Sequence, residues 1–368
     1  LARGCYWHKC TFCDTTLPYI KDFSMENVND IINDIKTMTA QTGLNTFYFT
    51  DEAIPPAMAV KLSIALIKEN IDISWWGNIR FDYAFTEDVC KLLHRAGCIA
   101  VVGGLESACN ITLNKMNKGI KIEEAVQVMS NFKSNGILVH SYMIYGFPGE
   151  SRLDLIDSTE VLRQLFAEGL IDSAFWHRFA LTRHSGVFKD PAKYNISIPN
   201  SDLKPFANND ISYIDNSNEN IDDMGDGLRR SVYNFMLGIE IDKDIKTWFE
   251  VPVQKPRVKK NFVKDILNNN IFDLRSDRKI LWLGFGSKAS ASGILVINGI
   301  NGIIEYELPV ELSNWLSELF RKSSIFSSDG ISIKEAGNSF PKNAGLVFSD
   351  FINNEIWDDL KDSGLIII

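Results

Sequence analysis

The sequence predicts an α/β protein. A partial parallel barrel of (β/α)6 type covers residues 1–198, a polar linker with helical segments covers 199–277, and a small α+β unit covers 278–368. Three observations predict this. Strand-like and helix-like periods alternate through the first half with short loops between them, which is how parallel strands with helical crossovers read. Residues 98–102 (CIAVV) are wholly apolar, as in a strand buried on both faces of a sheet. Composition then shifts to an Asn-, Asp- and Ser-rich passage with little period before a second set of short strands begins.

The elements follow in order. After a cysteine-rich opening, Ser24-Met25-Glu26 is the expected helix cap. Val28, Ile31, Ile32, Ile35 and Met38 recur at helical spacing, and Gly43 closes that helix. Residues 45–50 (NTFYFT) form a strand that empties into Asp51-Glu52, and Pro55-Pro56 opens a helix to about 69. Residues 71–78 (IDISWWGN) are the next strand, with Trp75 and Trp76 on opposite faces. A helix over 86–96, capped by Thr86 and ended by Gly97, precedes the apolar strand and its GGLES end at 103–107. A helix over 122–134, a strand over 137–145 ending in GFPGE, a helix over 153–168 and a strand over 172–181 complete the barrel. In such a fold the loops after the strands carry the chemistry.

Beyond it, residues 228–239 form a helix within the polar passage. In the last unit, strands over 280–285 and 293–298 flank a turn-rich GSKASAS segment. A third strand over 302–308 leads into an amphipathic helix over 310–321, and residues 350–368 read as a helix and then a strand. Gly284 in GFGS lacks the third glycine and following helix of a dinucleotide loop, so it reads as a hairpin turn.

At 368 residues the chain can bury two cores, and 45% hydrophobic with 23% charged residues is ordinary globular composition. A formal charge of −9 argues against a nucleic-acid or anionic-membrane surface. The densest basic stretch, 255–260 (KPRVKK), is short and reads as a solvated linker. No signal peptide and no long apolar run is seen, and Cys90, Cys98 and Cys109 have no disulfide-like pattern, so a reducing cytoplasm is expected.

Cys5, Cys10 and Cys13 lie within nine residues in a chain of six cysteines. Three thiolates can hold three irons of a four-iron, four-sulfur cluster and leave the fourth iron open to another ligand. Tyr6, Trp7 and Phe12 interleave with them and would keep water away. Two other readings stand beside this one. Cys5, His8, Cys10 and Cys13 could form a zinc knot in a non-catalytic binding protein. An electron-transfer cluster is the other, which would normally need a fourth cysteine.

RGCYWHKCTFCD resembles the cluster motif of the radical S-adenosylmethionine (radical SAM) enzymes, with a C-x4-C-x2-C spacing in place of the usual C-x3-C-x2-C. The resemblance runs over about residues 1–185 and is strongest for members that often carry an upstream cobalamin-binding domain. It implies a radical SAM barrel in which Cys5, Cys10 and Cys13 hold the cluster. It further implies cosubstrate contacts at Asp51 and Glu52 (where the family often has Gly-Gly-Glu), at Glu106 in GGLES, and at Tyr145 and Gly146 in YGFPGE. Phe12 and Arg80 join that set. The second most specific stretch, 103–150, includes Asn117-Lys118-Gly119.

The chemistry implied is one-electron cleavage of S-adenosylmethionine and hydrogen abstraction by a 5′-deoxyadenosyl radical. An external reductant such as flavodoxin or ferredoxin supplies the electron, and methylation is the outcome where cobalamin takes part. Only four residues precede Cys5, so the first barrel strand and any cobalamin domain are expected upstream of this sequence. Arg178, His177 and His184 also fall near strand ends, whereas His140 is expected in the core. The last unit faintly resembles the domains with which radical peptide-modifying enzymes grip a leader peptide, and it reads equally as a packing module.

Overall fold

The structure is a computed structural model that describes residues 1–15, 17–199, 209–217, 219–269 and 277–368. Within the expected linker, residues 200–208, 218 and 270–276 lie outside the described residues. The chain divides into two compact units, Leu1–Ala65 with Asp72–Ile271, and Leu66–Ile71 with Phe272–Ile368. No helix among the described residues is long and apolar enough to cross a membrane.

The first unit is built on five parallel strands in sequence order: β1 (Thr46–Phe49), β2 (Ser74–Ile79), β3 (Cys98–Glu106), β4 (Leu138–Tyr145) and β5 (Ser173–Arg178). The intervening helices are α1 (Val28–Thr42), α2 (Pro56–Lys68), α3 (Glu87–Arg95), α4 (Asn110–Lys115), α5 (Ile122–Ser134) and α6 (Arg152–Ala167), α1 preceding the first strand. Two later helices, α7 (Gly225–Met236) and α8 (Phe262–Leu267), pack on the same unit, α7 against α6 and β5 and α8 against α5 and α6.

Capping chemistry sets most boundaries. Thr86 accepts from the Val89 amide at the start of α3, and Gly97 follows its end at φ +84° with the Ile73 carbonyl where a Cβ would stand. Ser24 does not cap α1. Asn27 does, accepting from the Asn29 amide at 2.8 Å, because Ser24–Met25 is drawn into an antiparallel ladder with Ala2–Arg3 that brackets the cysteine segment. The apolar strand also runs further than expected. β3 continues through Gly103-Gly104 to Glu106, since Gly103 and Gly104 keep pairing with Ser141 and Tyr142 before the register shifts.

The two faces of the sheet differ. Trp75, Ile79, Val101, Leu105, Val139, Met143, Ala174 and Trp176 are buried on one side. The other side carries three rows set by strand register: Tyr48, Trp76, Ala100 and Leu138; Asn78, Val102, His140 and Ser173; Gly104, Tyr142 and Phe175. Tyr48, Tyr142 and Phe175 remain 40–50% exposed on it.

The second unit has two antiparallel sheets. β6 (Lys279–Trp282) is central between β10 (Ile331–Ser332) and the terminal β11 (Leu365–Ile367), while β7 (Gly286–Ala289), β8 (Ile294–Gly299) and β9 (Gly302–Glu307) form a meander. The GSKASAS segment is therefore part strand: Ser287 and Lys288 pair with Ile297 and Val296, and that pairing overrides the weak local preference of small polar residues. Helix α9 (Val310–Ser323) buries Leu312, Trp315, Leu316 and Leu319 in a core with Trp282, Phe351 and Trp357, to which α10 (Ile333–Asn338) and α11 (Glu355–Asp362) also contribute.

Candidate active site at the cysteine loop

The cysteine loop is tied down mainly by backbone bonds. The Cys5 amide donates to the Ile20 carbonyl, the Thr11 amide to Met116, and the Val187 amide to the Thr11 carbonyl. Asn117 is the main clamp. Its side chain donates to the Lys9 carbonyl at 2.9 Å, and its own carbonyl accepts the Trp7 indole N–H at 2.9 Å. Gly119, at φ +70°, allows this, because a Cβ there would lie 2.0 Å from the Trp7 ring. Phe12 packs against the cluster formed by Met116, Phe147 and Val187, so its ring anchors the loop.

Cys10 is buried, and Cys5 and Cys13 are half-buried. Burial pushes the Cys10 thiol up, and burial with the neighbouring Cys10 and Cys5 thiols pushes Cys13 up to about 12. These thiols need a positive centre before they will ionise, which suits iron. Among the described residues, no three His, Cys, Asp or Glu side chains converge on a single metal ion. In a four-iron cluster each thiolate takes its own iron. His8 is exposed, at φ +38°, with Nδ1 3.1 Å from the Cys5 carbonyl.

The ends of β2 and β3 supply charge beside Cys10. Arg80 is 4% exposed. Its guanidinium donates to the Cys10 Sγ at 3.9 Å and to the Lys118 carbonyl at 2.5 Å, and lies 4.9 Å from the Trp7 ring centre. Glu106 sits at φ +67° and accepts from the Lys118 ammonium at 2.7 Å, with both side chains buried. Gly104 makes room for this ion pair, since a Cβ there would stand 2.1 Å from the Glu106 carboxylate. Lys118 lies in the Asn117-Lys118-Gly119 stretch but is not among the expected site residues. A lysine just past the short helix that follows a strand-end glutamate is the signal that could have found it.

The other expected positions are less convergent. Asp51 is buried at the end of β1 and accepts from the Ala2 amide at 2.6 Å, so it holds the start of the cysteine segment. Glu52 is exposed and its charge is felt by Cys13. Tyr145 shares strand parity with buried Val139 and Met143, and its hydroxyl lies against Gly225 of α7. Gly146, at φ +74°, has both backbone groups engaged: its amide donates to Glu150 at 2.7 Å and its carbonyl accepts from Arg178 at 3.0 Å. Arg178 also pairs with Asp222. A cleft of about 480 Å³ opens beside Gly146, lined by Arg178, Tyr213, Asp215 and Asp222 among others.

His140 is not a core histidine. It stands half-buried on the open sheet face, with Nδ1 2.7 Å from the Ser173 hydroxyl and its ring edge-on to Tyr142, and burial holds its pKa below the usual histidine range. Tyr142 meets His177 edge-on in turn, and His177 meets Phe175. Across the sheet, Tyr48 stacks on Trp76 with ring centres 5.4 Å apart. This face continues along β2 through Asn78 to Arg80 and so to Cys10.

Residues 1–162 match the family described as the Radical SAM superfamily. The chain is 26% identical over 221 residues to an uncharacterized methyltransferase of Pyrococcus horikoshii, covering 57% of this chain and 48% of that protein. It is 26% identical over 210 residues to the anaerobic magnesium-protoporphyrin IX monomethyl ester cyclase of Rubrivivax gelatinosus, covering 54% of this chain and 37% of that one. Among solved structures it is similar to the radical S-adenosylmethionine methyltransferase TsrM of Kitasatospora setae, with 17% identity and a TM-score of 0.46 over 54% of this chain and 41% of that one. The chain spans less than half the length of these proteins.

Proposed function

We propose, from the match of residues 1–162 to the Radical SAM superfamily, that this chain cleaves S-adenosylmethionine reductively and takes hydrogen from an organic substrate. Cys5, Cys10 and Cys13 would hold a four-iron, four-sulfur cluster. When bound, that cluster supplies one electron to the sulfonium of the cosubstrate, replenished by an external one-electron reductant such as flavodoxin or ferredoxin. The observation that carries this reading is three thiols on a loop clamped over the strand ends, beside buried cations.

The chain's own residues divide the remaining work. Glu52 and Glu106 are acceptors suited to the ammonium of the cosubstrate, and Lys118 is a donor suited to its carboxylate. Asp51 and Gly146 shape the mouth through backbone bonds. Tyr6, Trp7 and Phe12 keep water from the cysteines. The ring-bearing face of the sheet suits a flat, mainly apolar substrate, and the net charge of −9 offers little to nucleic acid. Anaerobic reconstitution tests the reading. About four irons and four sulfides per chain are expected in the parent, lost in the Cys5→Ala, Cys10→Ala, Cys13→Ala triple variant. One zinc per chain and no cluster would refute it.

A second reading, methyl transfer, is favoured by the methyltransferase name of the Pyrococcus relative, and the sequence resemblance adds cobalamin as its carrier. It predicts that the full-length protein retains cobalamin through gel filtration and moves a labelled methyl group from S-adenosylmethionine to product.

A further inference from the structure

Arg80 was expected to pair with the cosubstrate carboxylate or a substrate anion. Its surroundings leave little of it for that task. One terminal nitrogen donates to the Cys10 Sγ at 3.9 Å and the other to the Lys118 carbonyl at 2.5 Å. The Trp7 and Tyr6 rings lie 4.9 Å and 5.9 Å from its central carbon. Only Nε is buried without a partner, and the residue as a whole is 4% exposed. This is a fixed cation behind one thiol.

We propose that Arg80 is a positioning residue that sets the reduction potential of the cluster through its N–H···S bond to Cys10. The inference rests on the reading of the three cysteines given above. Reduction adds one negative charge to a centre already ligated by three thiolates. A buried cation on one ligand sulfur favours the more negative, reduced state, and a hydrogen bond to that sulfur withdraws electron density in the same direction. Low dielectric around Arg80 strengthens both effects. The Lys118 ammonium, paired with Glu106, also acts on Cys10 through space, while Arg80 is the cation that donates to the sulfur.

The test uses the full chain reconstituted under anaerobic conditions and titrated with dithionite, with the reduced-cluster EPR signal as readout. Arg80→Met removes the charge and the donors. Arg80→Lys keeps the charge but has no fork to reach Cys10 and Lys118 together. The reduction equilibrium should fall at least about tenfold in Arg80→Met, equivalent to about 59 mV for one electron, with Arg80→Lys shifted in the same direction by less. If Arg80→Met takes up no iron, Arg80→Lys alone decides, and a fall in its potential supports the proposal. Loaded variants with the parent's potential would overturn it and reduce Arg80 to packing, leaving the cluster assignment intact. A parent that forms no cluster at all would overturn both.

Discussion

Glu150→Gln should make the protein more stable, and increasingly so as pH rises. Glu150 is 1% exposed and closes the loop after β4, with Oε2 accepting from the Gly146 amide at 2.7 Å and Oε1 buried without a partner. Burial pushes its carboxyl from the ordinary 4.5 up to about 8, with the amide bonds and Lys115 opposing only in part. A carboxyl whose pKa is raised on folding binds more protons folded than unfolded between those values. Stability is therefore full below pH 4.5, falls as pH rises through the window, and levels off above about 8. The full gap corresponds to about 5 kcal/mol, an upper bound for a single group. Glutamine keeps an oxygen acceptor for Gly146 and cannot ionise. Urea unfolding of the full chain, parent against variant at each pH, cancels every other titrating group. The variant's advantage should grow by on the order of 3–5 kcal/mol between about pH 5 and pH 9. An advantage that does not change with pH would refute the reasoning.

Other changes probe the site and the second core. Lys118→Met strands the buried Glu106 carboxylate and should cost about 3–5 kcal/mol, most of it recovered in the Lys118→Met, Glu106→Gln double variant, as read by a thermal-unfolding cycle. Gly119→Ala meets both a positive φ and the Trp7 ring, so it should cost more than about 1 kcal/mol and redden the tryptophan emission as Trp7 leaves Asn117. Phe351→Ala, in the ring cluster with Trp315 and Trp357, should cost about 3–5 kcal/mol in urea unfolding, with no effect on iron uptake by the cysteine loop.

Much of the barrel was legible because burial and capping are written locally. The apolar run at Cys98, the helical spacing from Val28, and the Thr86 and Gly97 caps each depend on neighbours within a few residues. Features decided by distant pairing were not. Ser24 looks like a cap until Arg3 pairs with it, and Lys288 looks like turn until Val296 does.

The same division holds at the site. Three cysteines at short spacing announce themselves, but which cation stands behind which thiol does not. Arg80 and Lys118 meet through the loop at 117–119, which folds over Trp7 and brings the Lys118 carbonyl to the guanidinium. Tyr145 follows the parity of buried Val139, which turns its side chain away from the open face. His140, by the same count, lies on that face.

The most direct test of the account is whether the reconstituted chain, reduced anaerobically with S-adenosylmethionine, produces 5′-deoxyadenosine by chromatography. The account predicts product in the parent and none in the triple cysteine variant. A parent that carries an intact cluster and binds S-adenosylmethionine, yet leaves it whole under reduction, would contradict it.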